Sequence, residues 1–93
     1  MLLTSFPPGK TTRADVERAA GHAQLTRERD ASGWTCADYI CLTVRHSEQR
    51  TNTKVYRVER YQVPDGFFSL AYDWFFYDAH DVVIDAEWQY ASD

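Results

Sequence analysis

The chain has 93 residues, 44% of them hydrophobic and 15% aromatic, and a net charge of −4. That length makes one domain and leaves no room for a doubly wound nucleotide fold or a TIM barrel. The composition supports an ordinary core and excludes disorder, and no apolar run approaches the roughly 20 residues that cross a bilayer.

The charge is unevenly spread. All ten Lys and Arg lie in residues 1–60 beside seven acids, whereas residues 61–93 hold seven acids and no Lys or Arg, a split of +3 against −7. Phosphate backbones require basic surface, so the acidic half argues against nucleic acid as a partner. A protein partner with a basic or apolar face is its natural complement.

Residues 1–10 read as an N-terminal arm. Gly9-Lys10-Thr11 resembles the end of a phosphate loop, but the G-x-x-x-x-G-K-[ST] pattern puts Thr4 where the first glycine belongs. Pro7 and Pro8 have no N–H to offer a phosphate. The tripeptide instead leads into a helix over residues 12–20. Thr12 caps it, and Asp15 three residues on completes a weaker capping box. Val16, Ala19 and Ala20 form a narrow apolar stripe, and Gly21 is the usual stop. Residues 22–31 suggest a second short helix, with Ala23 and Leu25 inward. Ser32-Gly33 reads as a turn.

From Trp34 the period becomes two, and the sheet is expected over residues 34–91. A first strand is placed around 37–46, with Trp34, Cys36, Ile40, Leu42 and Val44 on one face. Residues 46–52 are polar and read as a loop. Residues 54–63 are rich in β-formers, but their alternation slips near Glu59-Arg60, which a bulge explains. Pro64-Asp65-Gly66 makes a turn. Residues 67–77 place Phe68, Leu70, Tyr72, Trp74 and Phe76 on one face, leaving Phe67, Phe75 and Tyr77 on the other. Asp78 to Asp81 is a tight connection. In residues 82–90, Val82, Ile84, Ala86, Trp88 and Tyr90 alternate inward against outward Val83, Asp85, Glu87 and Gln89. The expected fold class is α+β: two layers, with short N-terminal helices on one face of a three- to four-stranded antiparallel meander.

Cys36 and Cys41 are the two cysteines. On one extended strand they stand roughly 16 Å apart on opposite faces, too far for a disulfide. A turn at Ala37-Asp38 permits the bridge, so the pairing stays open. The three histidines are far apart in sequence. Asp78, His80 and Asp81 read as a solvated turn rather than a metal site. Cys36 or Cys41 with His46 reads as a core or half-buried strand cysteine rather than a nucleophile pair. Asp85 and Glu87 share a strand face, but no apolar pocket stands by to raise a carboxyl pKa. No catalytic residues, cofactor or metal are assigned.

The stretch Gly9 to Gly21, with its Gly-x-Thr turn, central Val16 and terminal glycine, resembles the signature of the BamE/SmpA/OmlA outer-membrane lipoprotein domain. Trp34 resembles that family's aromatic-led strand, and Phe76 to Val83 resembles its last turn. The sequence departs from the pattern at His22-Ala23, at His80-Asp81 and in lacking a lipidated cysteine. The resemblance implies two helices followed by three strands. It also implies a non-catalytic role in envelope or outer-membrane assembly, with protein partners and anionic lipid. β-Lactamase-inhibitory proteins share that small fold, so a cytosolic inhibitor or immunity protein, blocking a basic surface on a toxin, nuclease or other enzyme, is the alternative. Location follows the choice: periplasm or outer membrane with a leader removed, cytoplasm without one. The expected contact face is the acidic, aromatic C-terminal hairpin, with Phe67, Phe75, Tyr77, Asp85 and Glu87 as partner-binding residues.

Overall fold

The computed structural model describes residues 6–31, 33–34, 40–64 and 70–90. Helix α1 spans Arg13–Ala20, strand β1 Leu25–Glu28, helix α2 Ile40–Thr51, and strands β2 Arg57–Pro64, β3 Leu70–Tyr77 and β4 Val83–Tyr90. The four strands form one open antiparallel sheet in the order β1-β2-β3-β4. The fold is the small α+β class that the sequence suggests.

α1 starts as its sequence dictates. Thr12 is extended, its Oγ1 accepts from the Asp15 N–H at 3.2 Å, and Asp15 Oδ2 accepts from the Thr12 N–H at 3.0 Å. These two bonds satisfy donors that the first turn leaves open. Gly21 ends the helix at φ 84°, its N–H reaching the Glu17 carbonyl at 2.8 Å. A side chain at that φ is strained, so glycine fits. The expected stripe narrows, however: Val16 is fully buried, while Ala19 and Ala20 are exposed.

Two elements differ in type from the sequence reading. The expected second helix at 22–31 contains β1, which pairs with residues 57–60 of β2. The expected strand at 37–46 is replaced by α2 where the chain is described. Ile40, Leu42 and Val44 alternate like a strand, but Ile40, Cys41, Val44 and Ser47 are the buried residues. That i, i+1, i+4, i+7 spacing is helical, and it leaves Leu42 exposed. Asn52 at φ 53° lets the chain leave α2 in the left-handed conformation.

The helices divide the sheet between them instead of sharing a face. Val16 of α1 packs with Phe6, Tyr61, Phe75, Tyr77 and Val83. Ile40 and Val44 of α2 pack with Val55, Val58, Trp74 and Phe76. Neighbours along a strand point to opposite faces, so Phe75 and Phe76 belong to separate cores. This also explains the slip at Glu59-Arg60. Val58 is buried on one face and Tyr61 on the other, and the β2 register runs unbroken through both. The one irregularity in the described register lies between β3 and β4, beside Phe76 and Tyr77.

The arm closes the first part of the outer edge of β4. Gly9 N–H donates to the Val83 carbonyl at 2.7 Å, and Val83 N–H donates to the Thr11 carbonyl at 2.8 Å. Phe6 stands edge-on to Phe75, with centroids 5.7 Å apart. In the β3–β4 turn, Asp78 Oδ1 accepts from the N–H groups of His80 and Val82 at 2.8 and 3.1 Å.

Candidate functional site

The acidic and aromatic residues of the C-terminal hairpin do not form one exposed patch. Phe75 and Tyr77 are fully buried in the core beneath α1. Both sheet faces are covered, so the second row of aromatics is core and not surface. Asp85 is also buried, on the α2 face, where Ser47 Oγ donates to its Oδ2 at 2.7 Å. Arg50 Nε donates to the same oxygen at 3.0 Å, and Arg50 Nη2 joins it. Glu87 keeps an exposed side chain 3.6 Å from Arg50. Phe67 lies outside the described residues. Of the five expected contact residues, the structure therefore leaves Glu87 on the described surface.

The uneven charge of the sequence is partly offset in three dimensions. Asp85 and Glu87 meet Arg50 of α2, and Asp81 Oδ1 accepts from Arg57 Nε at 2.9 Å. Three acids of the second half, Asp81, Asp85 and Glu87, thus pair with bases of the first.

On the α1 face, Glu59 is 1% exposed and sits in a polar cluster. Its Oε2 accepts from Arg13 Nε at 3.1 Å, Arg13 Nη2 at 3.0 Å and Thr26 Oγ1 at 2.9 Å. The hydroxyl of Tyr61 approaches its Oε1 at 3.5 Å. The bond to Glu59 holds the Arg13 guanidinium above its usual range. Burial, then the nearby Glu59 charge, pushes both the Tyr61 and Tyr77 phenols far up, so both stay neutral. Tyr77 Oη is buried with no hydrogen-bond partner among the described residues. The cluster is a charge clamp: the carboxylate is held by the Arg13 guanidinium.

A third carboxyl lies deep in the sheet. Asp73 on β3 is 5% exposed and stands directly across from Tyr61 of β2 and Trp88 of β4. Burial raises its pKa, and the charge of the chain's amino terminus offsets a smaller part. No sequence signal singled it out, because an aspartate in FFSLAYDWFFY reads as a solvent-side residue of an alternating strand.

The exposed large apolar side chains among the described residues are Leu42, Tyr56 and Trp88. Trp88 belongs to β4, whose outer edge is paired near its start by the arm at residues 9–12. Cys41 is disulfide-bonded; the chain's one other cysteine, Cys36, lies outside the described residues. His22, His46 and His80 are all exposed, and no cluster of three or more His, Cys, Asp or Glu with metal-binding geometry occurs among the described residues. No described helix is long and apolar enough to cross a membrane. No family model matches the chain, and neither curated proteins nor solved structures provide a match.

Proposed function

We propose that the chain is a non-catalytic protein-binding domain that works through the outer edge of β4. The observation that carries this reading is the edge itself. Beyond the arm's contacts at Val82 and Val83, β4 has no further strand beside it among the described residues, and Trp88 on it is 39% exposed. A strand edge offers main-chain donors and acceptors to an added strand, and an exposed indole supplies an anchor. The exposed Glu87 carboxylate suits a basic face on the partner.

The resemblance of Gly9 to Gly21 to the BamE/SmpA/OmlA signature makes envelope assembly the favoured setting, with anionic lipid as a second contact. A disulfide at Cys41 fits an oxidising compartment such as the periplasm. The alternative of an inhibitor or immunity protein draws on the same edge, with Glu87 facing a basic enzyme surface.

The test is quantitative binding to proteins captured from the source cells. A saturable one-to-one complex that weakens at least about ten-fold in Trp88→Ala, a loss of about 1.4 kcal/mol or more, is expected. Equal affinity for the wild type and Trp88→Ala, with both folded, would overturn the assignment to this edge.

A further inference from the structure

Tyr77 is fully buried in the core beneath α1, yet its Oη has no hydrogen-bond partner among the described residues. Buried polar groups are nearly always paired, because an orphaned donor gives up its bonds to water and regains none. A native fold that keeps such an orphan invites the question of where the hydroxyl would find a partner.

An acceptor stands beside it. Glu59 lies opposite Phe75 in the β2–β3 ladder, so Tyr77, two residues on, shares its sheet face and is its diagonal neighbour. Tyr61, two residues along β2, shares that face too. Burial and then the Glu59 charge act on the Tyr77 phenol, which places the two groups close together. The carboxylate is unevenly served. Its Oε2 takes both Arg13 nitrogens and the Thr26 hydroxyl, whereas its Oε1 is approached by the Tyr61 hydroxyl at 3.5 Å, longer than an ordinary O–H···O bond. A spare donor and a thinly bonded acceptor therefore lie side by side in the sheet, and the arginine that serves the far oxygen comes from α1.

α1 is lightly attached. It contributes one buried side chain, Val16. Arg13, its first residue, makes the ion pair with Glu59 and donates its N–H to the Asp81 carbonyl at 2.8 Å. At the other end the chain leaves through Gly21, at φ 84°, with nothing among the described residues within 4 Å of the place a Cβ would take. A glycine in open space is a ready pivot.

We propose that α1 is a strap that lifts from the sheet about Gly21, and that Tyr77, with Tyr61, takes over Glu59 when Arg13 departs. The phenols keep their protons and turn their O–H bonds towards Oε1, so the carboxylate is not left bare. A neutral hydroxyl is a weaker donor than a guanidinium, so the closed arrangement prevails and the open one is a minor state. Opening uncovers the apolar wall of Tyr61, Phe75, Tyr77 and Val83. The proposal does not depend on the β4 edge.

Amide hydrogen exchange on the full chain tests it, read as protection factors at Arg13 and Val16 of α1 and along β3, which is paired on both sides. The α1 amides are expected to open locally, about ten-fold or more readily than those of β3. Tyr77→Phe removes one atom and keeps the packing. It relieves the orphaned hydroxyl in the closed state and takes the replacement donor from the open one. α1 should then open about ten-fold less, whereas β3, which opens by unfolding, feels the first effect alone and slows less. Equal slowing in both segments would show that the hydroxyl plays no part in the opening and would overturn the proposal. So would α1 amides that exchange only with the whole fold, or an α1 indifferent to Tyr77→Phe.

Discussion

The two faces of the sheet solve the same problem with unequal means. Each helix buries apolar side chains against the strands and lends one arginine to a carboxylate beneath it. α2 does so with twelve residues and four buried positions, and its Arg50 lies in the last turn. A cation there is favoured by the helix dipole. α1 has eight residues and one buried position, Val16, and its Arg13 is the first helical residue. The dipole opposes a cation at that end, so the contact with Glu59 must outweigh it. The short helix is thus held by its cap and its ion pair more than by packing, and the longer one the other way round.

The sharpest way to break this contrast is Arg13→Ala. It strands Glu59, which is almost wholly buried, and is expected to cost about 3–5 kcal/mol in urea unfolding. Arg50→Ala on the other face should cost less, about 1–3 kcal/mol, because Asp85 is less completely buried than Glu59 and Arg50 is half exposed. If the two losses are equal, the faces do not differ as described. Thr12→Ala removes one half of the capping box and should cost about 1 kcal/mol, read as a lower unfolding midpoint with an unchanged denaturant slope.

The smallest effect concerns pH. The folded-state pKa of Asp73 is raised by burial, so the folded chain holds this proton more tightly than the unfolded chain does. Its contribution is therefore most favourable below the ordinary carboxyl range and is lost as pH rises through the raised value. Asp73→Asn should gain stability relative to the wild type as pH rises from about 3 to 8. Parallel unfolding midpoints across that range would show that Asp73 carries no such penalty.

Much of this was legible from local chemistry. Thr12, Asp15 and Gly21 bracket α1 because capping depends on residues three or four apart. β3 and β4 follow from dense β-formers either side of a turn residue, Asp78. The misreadings share a cause: short-range pattern cannot tell which face is covered. Ile40, Leu42 and Val44 satisfy period two while Ile40, Cys41 and Val44 satisfy a helix, and only packing against Trp74 and Phe76 decides between them. β1 is polar at Thr26, Arg27 and Glu28, and its half-covered edge position left no apolar alternation to detect. The contact patch failed for the complementary reason. Charge counted along the chain ignores that Arg50 and Arg57 fold back onto Asp85 and Asp81. Asp73 became visible only once its neighbours across the ladder were known.

The route from β1 to β2 has a kinetic consequence. β2, β3 and β4 follow one another directly in sequence, whereas β1 meets β2 only after the chain has passed through α2. Closing that loop costs entropy that four ladder positions repay poorly. β1 is therefore the strand that joins last and loosens first, and its backbone amides should trade protons with solvent well before those of β3.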